Sequence, residues 1–358
     1  KVRIGKPITP KMQAGFADHN LLGEFIRKKT YILAKTFEKE SIAEKLKRPV
    51  IKKRQEKPVK APVDKQLIVD EITRLSQTDD QLFEQKGYQV FLADADKIPH
   101  TLQEIGRLRE LTFRAVGEGT GNPVDLDKYD KYYKHLILWD KENQRLAGAY
   151  RMGFGRDIYE KYGIKGFYLN ELFTFEPELF DMMQKSIEMG RAFIVEDYQK
   201  KPYPLFLLWR GIVHTTIRYP DHEYLIGPVS ISDKFTHFSK SLIIAFMKSY
   251  FYDAYTAQFV KPKKAFKVRL KERDKQFIFD TAGDNLVKFD KIIDELEPAE
   301  LKIPVLLKKY IKQNARLIAF NVDPDFNNAI DGLMYIKISD LPEETIKPVL
   351  EEFQSQFK

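Results

Sequence analysis

The chain has 358 residues, no cysteine, and 60 Lys and Arg against 52 Asp and Glu, which gives a formal net charge of +8. Without cysteine there can be no disulfide, no thiol nucleophile and no cysteine-based metal site. No apolar run approaches the roughly 18 residues that a membrane span needs, and the first residues lack the apolar core of a signal peptide. We therefore expect a cytoplasmic protein, and we leave peripheral association with the inner membrane open.

The excess positive charge lies in one segment. Residues 45–65 hold nine Lys or Arg against Glu56 and Asp64, a net of +7, so the rest of the chain carries only +1 (8 minus 7). Three prolines and no helical apolar period are typical of a solvated linker, which we place at 45–75. Such a linker can also contact anionic lipid headgroups, at about 1 kcal/mol per basic residue. No nucleic acid partner is expected, because the remainder is nearly neutral.

Residues 1–44 are predicted to form a strand, KVRIGKPI, and a helix in which Leu22, Phe25 and Ile26 recur at helical spacing. Such a pair cannot bury a core alone, so it either packs on the downstream domain or ends a domain that began earlier. We expect the second. VRIGKPI followed by LLGEFIRKKTYILAK resembles the C-terminal end of the glycerolipid O-acyltransferases of the lysophosphatidate acyltransferase type, although their HxxxxD motif does not occur within residues 1–44.

The elements after the linker alternate in a definite order. Strands are predicted at 88–94, 135–140, 145–155, 187–195, 223–232, 316–322 and 334–341. Helices are predicted at 101–116, around Pro177, at 205–219, 233–255 and 303–315, and after Pro342. A meander followed by strand, helix, strand, helix resembles the α/β (α+β) fold of the GNAT acyltransferases. That resemblance implies one domain over 76–358, with a mixed sheet whose central strands splay apart.

The sequence lacks the motifs of several common nucleotide-binding, metal and hydrolase sites. The chain has no Walker A pattern, no GxGxxG after a strand, no HExxH and no GxSxG, and its six histidines are scattered. We therefore expect no metal site and no tightly bound cofactor.

Charged residues lodged in otherwise apolar elements are the remaining signal. A helix carries Arg109 and Phe113, an acidic loop (DLDKYD) follows, and later strands carry single charged residues. The set resembles the N-acyltransferase branch of the GNAT superfamily, which includes the acyl-homoserine-lactone synthases and the bacterial enzymes that N-acylate ornithine or glycine to make aminolipids. The matching positions are Arg109, Phe113, Asp127, Asp130, Arg151, Glu188 and Arg191, with Glu171 in YLNELF, the PLFLLWRGI helix and the DPDFN segment.

The resemblance assigns roles to these residues. Attack of an amine on an acyl thioester needs a base and an oxyanion site, and Glu188 is the first candidate base, with Glu171 second. Arg151 and Arg191 are expected to clamp the acceptor carboxylate or the pantetheine phosphate. The aspartate loop would position the acceptor amine or order the helix. The full predicted substrate-binding set is Arg109, Phe113, Asp127, Asp130, Arg151 and Arg191. The alternative is a buried ion-pair network without catalytic function.

The resemblance also implies the substrates. A long acyl or hydroxyacyl chain would move to the α-amine of glycine or ornithine, and an O-acylation step would follow in a fused enzyme. The pyrophosphate loop R/QxxGxG/A is not recognisable after 187–195. Acyl carrier protein is therefore the expected donor and partner, with acyl-CoA the alternative. KPKKAFK at 261–267 could dock that acidic protein or be merely solvated. Two other functions stay open: a non-catalytic, haemolysin-like membrane-surface protein, and an acetyl-CoA-dependent acetyltransferase of small amines.

Overall fold

A computed structural model of the chain describes residues 2, 4–35, 56–297 and 301–356. Their contacts divide them into two compact units. We call one the helical unit, and its described residues come from 1–54, 233–252 and 266–309. We call the other the sheet unit, and its described residues come from 55–232, 253–265 and 310–358.

The strands found among the described residues all lie in the sheet unit. They are β1 (Gln81–Gln85), β2 (Tyr88–Ala93), β3 (Lys134–Asp140), β4 (Arg145–Phe154), β5 (Phe173–Phe175), β6 (Ser186–Ile194), β7 (Tyr224–Ile231), β8 (Val260–Pro262), β9 (Arg316–Asp323) and β10 (Ala329–Lys337). Eight of them form one sheet in the order β1-β2-β3-β4-β6-β7-β10-β9, while β5 and β8 pair separately. Every pair in the large sheet is antiparallel except β6 with β7, which is parallel. The sheet is therefore mixed, as predicted.

The helices of the described residues are, in chain order, α1 (Pro10–Gln13), α2 (His19–Lys35), α3 (Lys65–Leu75), α4 (Pro99–Val116), α5 (Gly155–Tyr162), α6 (Leu169–Leu172), α7 (Phe180–Gln184), α8 (Glu196–Gln199), α9 (Tyr203–Arg218), α10 (His237–Tyr250), α11 (Ala254–Ala257), α12 (Glu272–Ala282), α13 (Leu286–Leu296), α14 (Val305–Ile311) and α15 (Glu343–Gln356). None of these described helices has the length and apolarity that crossing a bilayer requires.

Both faces of the sheet are covered by helices because its strands are apolar on both sides. Phe91 and Ile137 belong to a core cluster with Ile105 of α4. Their neighbours along the strands point the opposite way, as alternation demands. On that second face α9 approaches closely at Gly211, where a Cβ would lie 2.9 Å from the Val90 side chain. The burial of both faces explains why the sequences of β2, β3 and β4 are nearly continuous apolar runs.

The parallel pair opens partway along its length. β6 pairs with β7 only over Ser186 to Glu188, which lie opposite Tyr224 to Ile226. β6 continues to Ile194 and β7 to Ile231 without further pairing between them. The predicted splay of the central strands is therefore confirmed, and it begins directly after Glu188. Across from it, the pairing of β6 with β4 shifts register between Ala149 and Arg151.

One predicted element was wrong and two others had wrong bounds. KVRIGKPI forms no strand among its described residues, since Pro7 cannot donate to a ladder and the Lys6 N–H instead donates to Glu295 at 2.7 Å. The predicted helix over 233–255 is only His237–Tyr250, and the last strand begins at Ala329 rather than 334. The helix following KVRIGKPI is confirmed as α2.

The predicted linker at 45–75 contains a helix that the prediction missed. Residues 45–55 lie outside the described residues, but α3 occupies Lys65–Leu75. Asp64 caps it by accepting from the Gln66 N–H at 2.8 Å, and Ile68, Ile72 and Leu75 are buried on one face. The predicted domain boundaries 1–44, 45–75 and 76–358 stay a prediction.

Candidate active site

Arg109 on α4 is the centre of a buried ion-pair network. Its Nη1 donates to Asp130 Oδ1 at 2.8 Å and its Nη2 to the Asp125 carbonyl oxygen at 2.6 Å. The acidic loop wraps the guanidinium because Asp125 N–H in turn donates to the Gly106 carbonyl of α4. Burial alone would raise the pKa of Asp130, but the charges of Arg109 and Arg151 hold it well below its usual range. These ion pairs hold the acidic loop against α4 with its aspartates ionised.

Arg151 on β4 extends the network toward the middle of the sheet. Its Nη1 donates to Asp127 Oδ1 at 2.7 Å and to Asp130 Oδ2 at 3.3 Å. The guanidinium also lies over the rings of Tyr133 and Tyr168, at 5.3 and 5.0 Å from their centroids. Only 1% of its side chain is exposed, so all of its donors face protein. Such aromatic faces favour a guanidinium over an ammonium at this position.

Of the three arginines in the network, Arg191 on β6 is the most exposed to solvent. Its side chain is 13% exposed, against 1% for Arg109. Its Nη1 donates to the Tyr168 hydroxyl at 3.2 Å, and its guanidinium lies 4.9 Å from the ring centroid of Phe326. Nε is 3.2 Å from Asp125 Oδ2 but is not aligned for a hydrogen bond.

The backbone at Arg191 is left-handed. Its φ of +51° is uncommon for a residue with a Cβ and costs of order 1–3 kcal/mol. The strained residue is at the register shift between β4 and β6 and beside the opening between β6 and β7. The shift turns the arginine toward the acidic loop.

Glu188 is the last residue of β6 that pairs with β7. It is 2% exposed, and its two carboxylate oxygens have different donors: the Tyr133 hydroxyl at 2.6 Å and the Leu169 N–H at 3.0 Å. Burial raises its pKa to about 7, even though these hydrogen bonds and Arg151 favour the charged form. A carboxyl with this pKa can gain and lose a proton near neutral pH.

Glu171 differs from Glu188 in almost every respect. Its side chain is 49% exposed, and Oε1 accepts from the Tyr129 hydroxyl at 2.5 Å and from Lys128 Nζ at 2.9 Å. Those two hydrogen bonds lower its pKa. A half-exposed, ion-paired carboxylate is a weaker base than a buried one.

The structure therefore joins five of the predicted residues in one network: Arg109, Asp127, Asp130, Arg151 and Arg191. Glu188 adjoins it through Tyr133, whose ring lies against Arg151. Glu171 is at the edge, connected through Tyr129. Phe113 does not touch the charges directly; its ring packs 5.3 Å from that of Phe326.

The prediction missed several residues of the site. Asp125 lies in the same acidic loop but was not chosen, and the hydroxyls of Tyr133 and Tyr168 gave no pattern that singled them out. Asp331 on β10 did give one, since it is a carboxylate inside an apolar strand. It is 3% exposed, it accepts from the Ser230 hydroxyl at 2.7 Å, and burial together with Asp323 raises its pKa to about 7.

The DPDFN segment has a structural role. Asp323 Oδ1 accepts from the Asp325 N–H at 2.8 Å and from the Phe326 N–H at 3.3 Å, which is an Asx turn. The turn carries Phe326 to its position over Arg191. Within the described ranges, no three or more His, Asp or Glu side chains are grouped so that they could hold a metal ion.

The sequence of the chain is similar to those of known acyltransferases. Residues 108–209 match the family described as acetyltransferase (GNAT) domain. A protein of Bacteroides thetaiotaomicron named glycine N(alpha)-acyltransferase is 27% identical over 300 residues, which cover 79% of this chain and 86% of the relative. A protein of Phocaeicola vulgatus with the same name is 26% identical over 317 residues, 83% of this chain and 93% of the relative. No solved structure matches.

The matched segment contains the network and the splayed strand β6. The mixed sheet flanked by helices is accordingly a GNAT-like fold, and the chain is an acyltransferase.

Proposed function

We propose that this acyltransferase moves a long acyl chain from an acyl carrier protein thioester to the α-amine of glycine, as a step in aminolipid synthesis. The observation that carries the proposal is Glu188, a buried carboxyl with a pKa of about 7 at the point where β6 and β7 separate. Two relatives over most of the chain are named for N-acylation of glycine, which favours glycine over ornithine as the acceptor.

The chemistry needs one base and one oxyanion site. The glycine ammonium must lose a proton before its nitrogen attacks the thioester carbonyl, and the ionised Glu188 is suited to take it. The new N–C bond forms a tetrahedral oxyanion, and the C–S bond then breaks to release the pantetheine thiol. Backbone N–H groups on the edge of β6 that no longer pairs with β7 can donate to that oxyanion. The proton held by Glu188 then passes to the leaving thiolate, and the second proton of the attacking nitrogen is released to solvent as the amide forms.

Arg191 is the candidate for holding the acceptor carboxylate. It is the least buried arginine of the network, and a guanidinium binds a carboxylate through two parallel hydrogen bonds. Arg109 and Arg151 already donate to aspartates, which supports an ordering role for them and for the Asp127 and Asp130 loop. This assignment narrows the predicted substrate-binding set to one residue in direct contact with glycine.

The element after β6 supports a carrier-protein donor. Coenzyme A is commonly held by its pyrophosphate at a helix N-terminus, where free N–H groups and the helix dipole favour an anion. Here the short helix α8 begins with Glu196 and Asp197, and their charges disfavour a pyrophosphate. Lys261 and Lys263 on the surface could contact an acidic carrier protein, although Lys261 is paired with Glu176 at 2.6 Å.

A panel of donors and acceptors tests this function. The purified chain would be incubated with palmitoyl-acyl carrier protein, palmitoyl-CoA or acetyl-CoA, each with glycine, ornithine or a small amine lacking a carboxylate. Mass spectrometry would identify the products. We expect N-palmitoylglycine, formed fastest from the carrier protein. Acetylated amines without any N-palmitoylglycine would overturn the proposal in favour of a conventional acetyltransferase.

A further inference from the structure

The helical unit contains a cavity of about 440 Å³. This volume falls within the roughly 300–1,000 Å³ of ordinary ligand pockets. Its walls are apolar side chains from three helices, α2, α12 and α13: Phe25, Ile32, Phe277, Ile278, Ile292 and Leu296. None of these residues belongs to the acyl-transfer site.

The sequence accounts for an apolar wall on each helix. Ile292 and Leu296 are four residues apart and share one face of α13. Phe25 and Ile32, seven residues apart, share one face of α2, and the Phe25 ring lies 5.9 Å from that of Phe277. Apolar stripes of this kind normally meet and exclude solvent. Here they surround an open volume instead.

Water is a poor occupant for this volume. At about 30 Å³ per molecule the cavity would hold on the order of fifteen waters, and each needs two to four polar partners. The apolar walls offer few such partners. A methylene group is close to a water molecule in volume, so the same space accepts an acyl chain of about a dozen carbons.

The polar groups around the cavity are mainly cationic. Four lysines line it against one glutamate: Lys6, Lys29, Lys288 and Lys291, with Glu295. Lys29 is 3.2 Å from Glu295, and Lys6 is 2.6 Å from Asp294. Lys288 and Lys291 on α13 form no ion pair within the described part of the chain. An anionic group at this rim would therefore meet two lysines that have no counter-charge.

We propose that the cavity of the helical unit binds a single-chain lipid with an anionic head group. The acyl chain lies among the side chains of α2, α12 and α13, and the carboxylate or phosphate head is bound by Lys288 and Lys291. A fatty acid, an N-acyl amino acid and a lysophosphatidate share this chemistry. The inference does not depend on the proposed acyl transfer, because no residue is common to the two sites.

Displacement of a fluorescent fatty acid, 11-(dansylamino)undecanoate, tests it on the full chain. Palmitate, N-palmitoylglycine and palmitoyl-lysophosphatidate, each below its micelle concentration, are the competitors, and their order of potency identifies the source of the lipid. Cetyltrimethylammonium has the same chain length with a cationic head and is expected not to compete. Binding of the probe should persist in Glu188→Gln, which separates this test from that of the acyl transfer. No saturable binding of the probe to the wild-type chain would refute the proposal.

Two variants localise the binding. Ile292→Trp fills the cavity and should weaken probe binding at least about tenfold, through lost burial of several methylenes. Its control is Val287→Trp on the same helix, where the side chain is 58% exposed and does not line the cavity. Circular dichroism would verify that both variants fold.

Lys288→Glu/Lys291→Glu should likewise weaken binding at least about fivefold while sparing a neutral-headed chain. The charge-matched control is Lys28→Glu/Lys271→Glu, which leaves the cavity lining unchanged. If the tryptophan and charge variants bind the probe as their controls do, the lipid site is elsewhere and the proposal is wrong.

Discussion

Replacing Tyr133 by phenylalanine should move the pH dependence of acyl transfer to higher pH. The Tyr133 hydroxyl donates to Glu188 at 2.6 Å and so favours the charged carboxylate. A hydrogen bond to a charged group is worth about 1.5–3 kcal/mol, and one pKa unit corresponds to about 1.4 kcal/mol. Losing it should raise the pKa of Glu188 from about 7 by about one to two units. Because the base must be ionised, the acidic limb of the rate profile follows that pKa.

The measurement is kcat/KM for glycine between pH 5.5 and 9.5, in wild type and Tyr133→Phe. Titration of glycine itself affects both enzymes equally, so it cancels in the comparison. Tyr132→Phe is the matched control, since the Tyr132 hydroxyl donates to the Gly166 carbonyl at 2.8 Å and not to Glu188. Tyr133 also accepts the Tyr168 N–H at 3.0 Å, so the variants must be compared below their unfolding temperatures. An acidic limb that stays in place in Tyr133→Phe would refute the assignment of Glu188 as the base.

Other predictions concern stability and the second carboxylate. Arg109→Leu leaves two aspartates buried without their counter-charge and should lower the free energy of unfolding, measured with urea, by about 3–5 kcal/mol. The control Arg156→Leu breaks an exposed ion pair and should lower it by at most about 1 kcal/mol. Equal losses in the two variants would contradict the network. The folded-state pKa of Asp331 is raised to about 7 from 3.8, so its neutral form stabilises the fold below about pH 4 and this contribution is lost as the pH rises through about 7. Asp331→Asn should therefore gain stability relative to wild type by about 3 kcal/mol between pH 5 and pH 8, since about two pH units separate pH 5 from the folded pKa. A gain that does not grow with pH would show that the carboxyl is not perturbed. Glu171→Gln should keep glycine acylation within about threefold of wild type, because that carboxylate is half-exposed and ion-paired; a loss as large as that of Glu188→Gln would reverse the two roles.

Most of the sheet could be predicted from the sequence because its strands are bounded by clear signals. β3 and β4 are apolar runs separated by the polar turn Lys141–Gln144, and Gln144 adopts a left-handed φ of +48° there. The splay of β6 from β7 is different in kind. No local pattern encodes where two parallel strands stop pairing, so it was predicted only through the resemblance to a family.

The failures have physical causes as well. KVRIGKPI alternates like a strand, but a strand needs a neighbouring strand to accept its N–H groups. The Lys6 N–H donates to the Glu295 carboxylate instead. Helix α3 was assigned to a linker because the basic residues before it dominated the composition of the segment. The apolar spacing of Ile68, Ile72 and Leu75 was the signal that should have separated the helix from the linker.

Charged residues in apolar strands predicted much of the site. Arg151 and Glu188 were visible because a charge inside a buried strand must be compensated. Asp331 gave the same signal and was missed, since the last strand was predicted to begin only at residue 334. The contribution of tyrosines was not predictable, because a hydroxyl that donates to a carboxylate gives no pattern in the sequence. Tyr133 and Tyr168 were therefore found only from the structure.

The most direct test of the account is the rate of glycine acylation by Glu188→Gln. Glutamine preserves the shape of the side chain, and its oxygen can accept from the Leu169 N–H while its amide N–H faces the Tyr133 hydroxyl oxygen, but it cannot accept a proton. We predict a fall in kcat of about 10²–10⁴-fold at pH 8, with no loss of thermal stability. A folded Glu188→Gln enzyme that forms N-acylglycine within threefold of the wild-type rate would contradict the central claim.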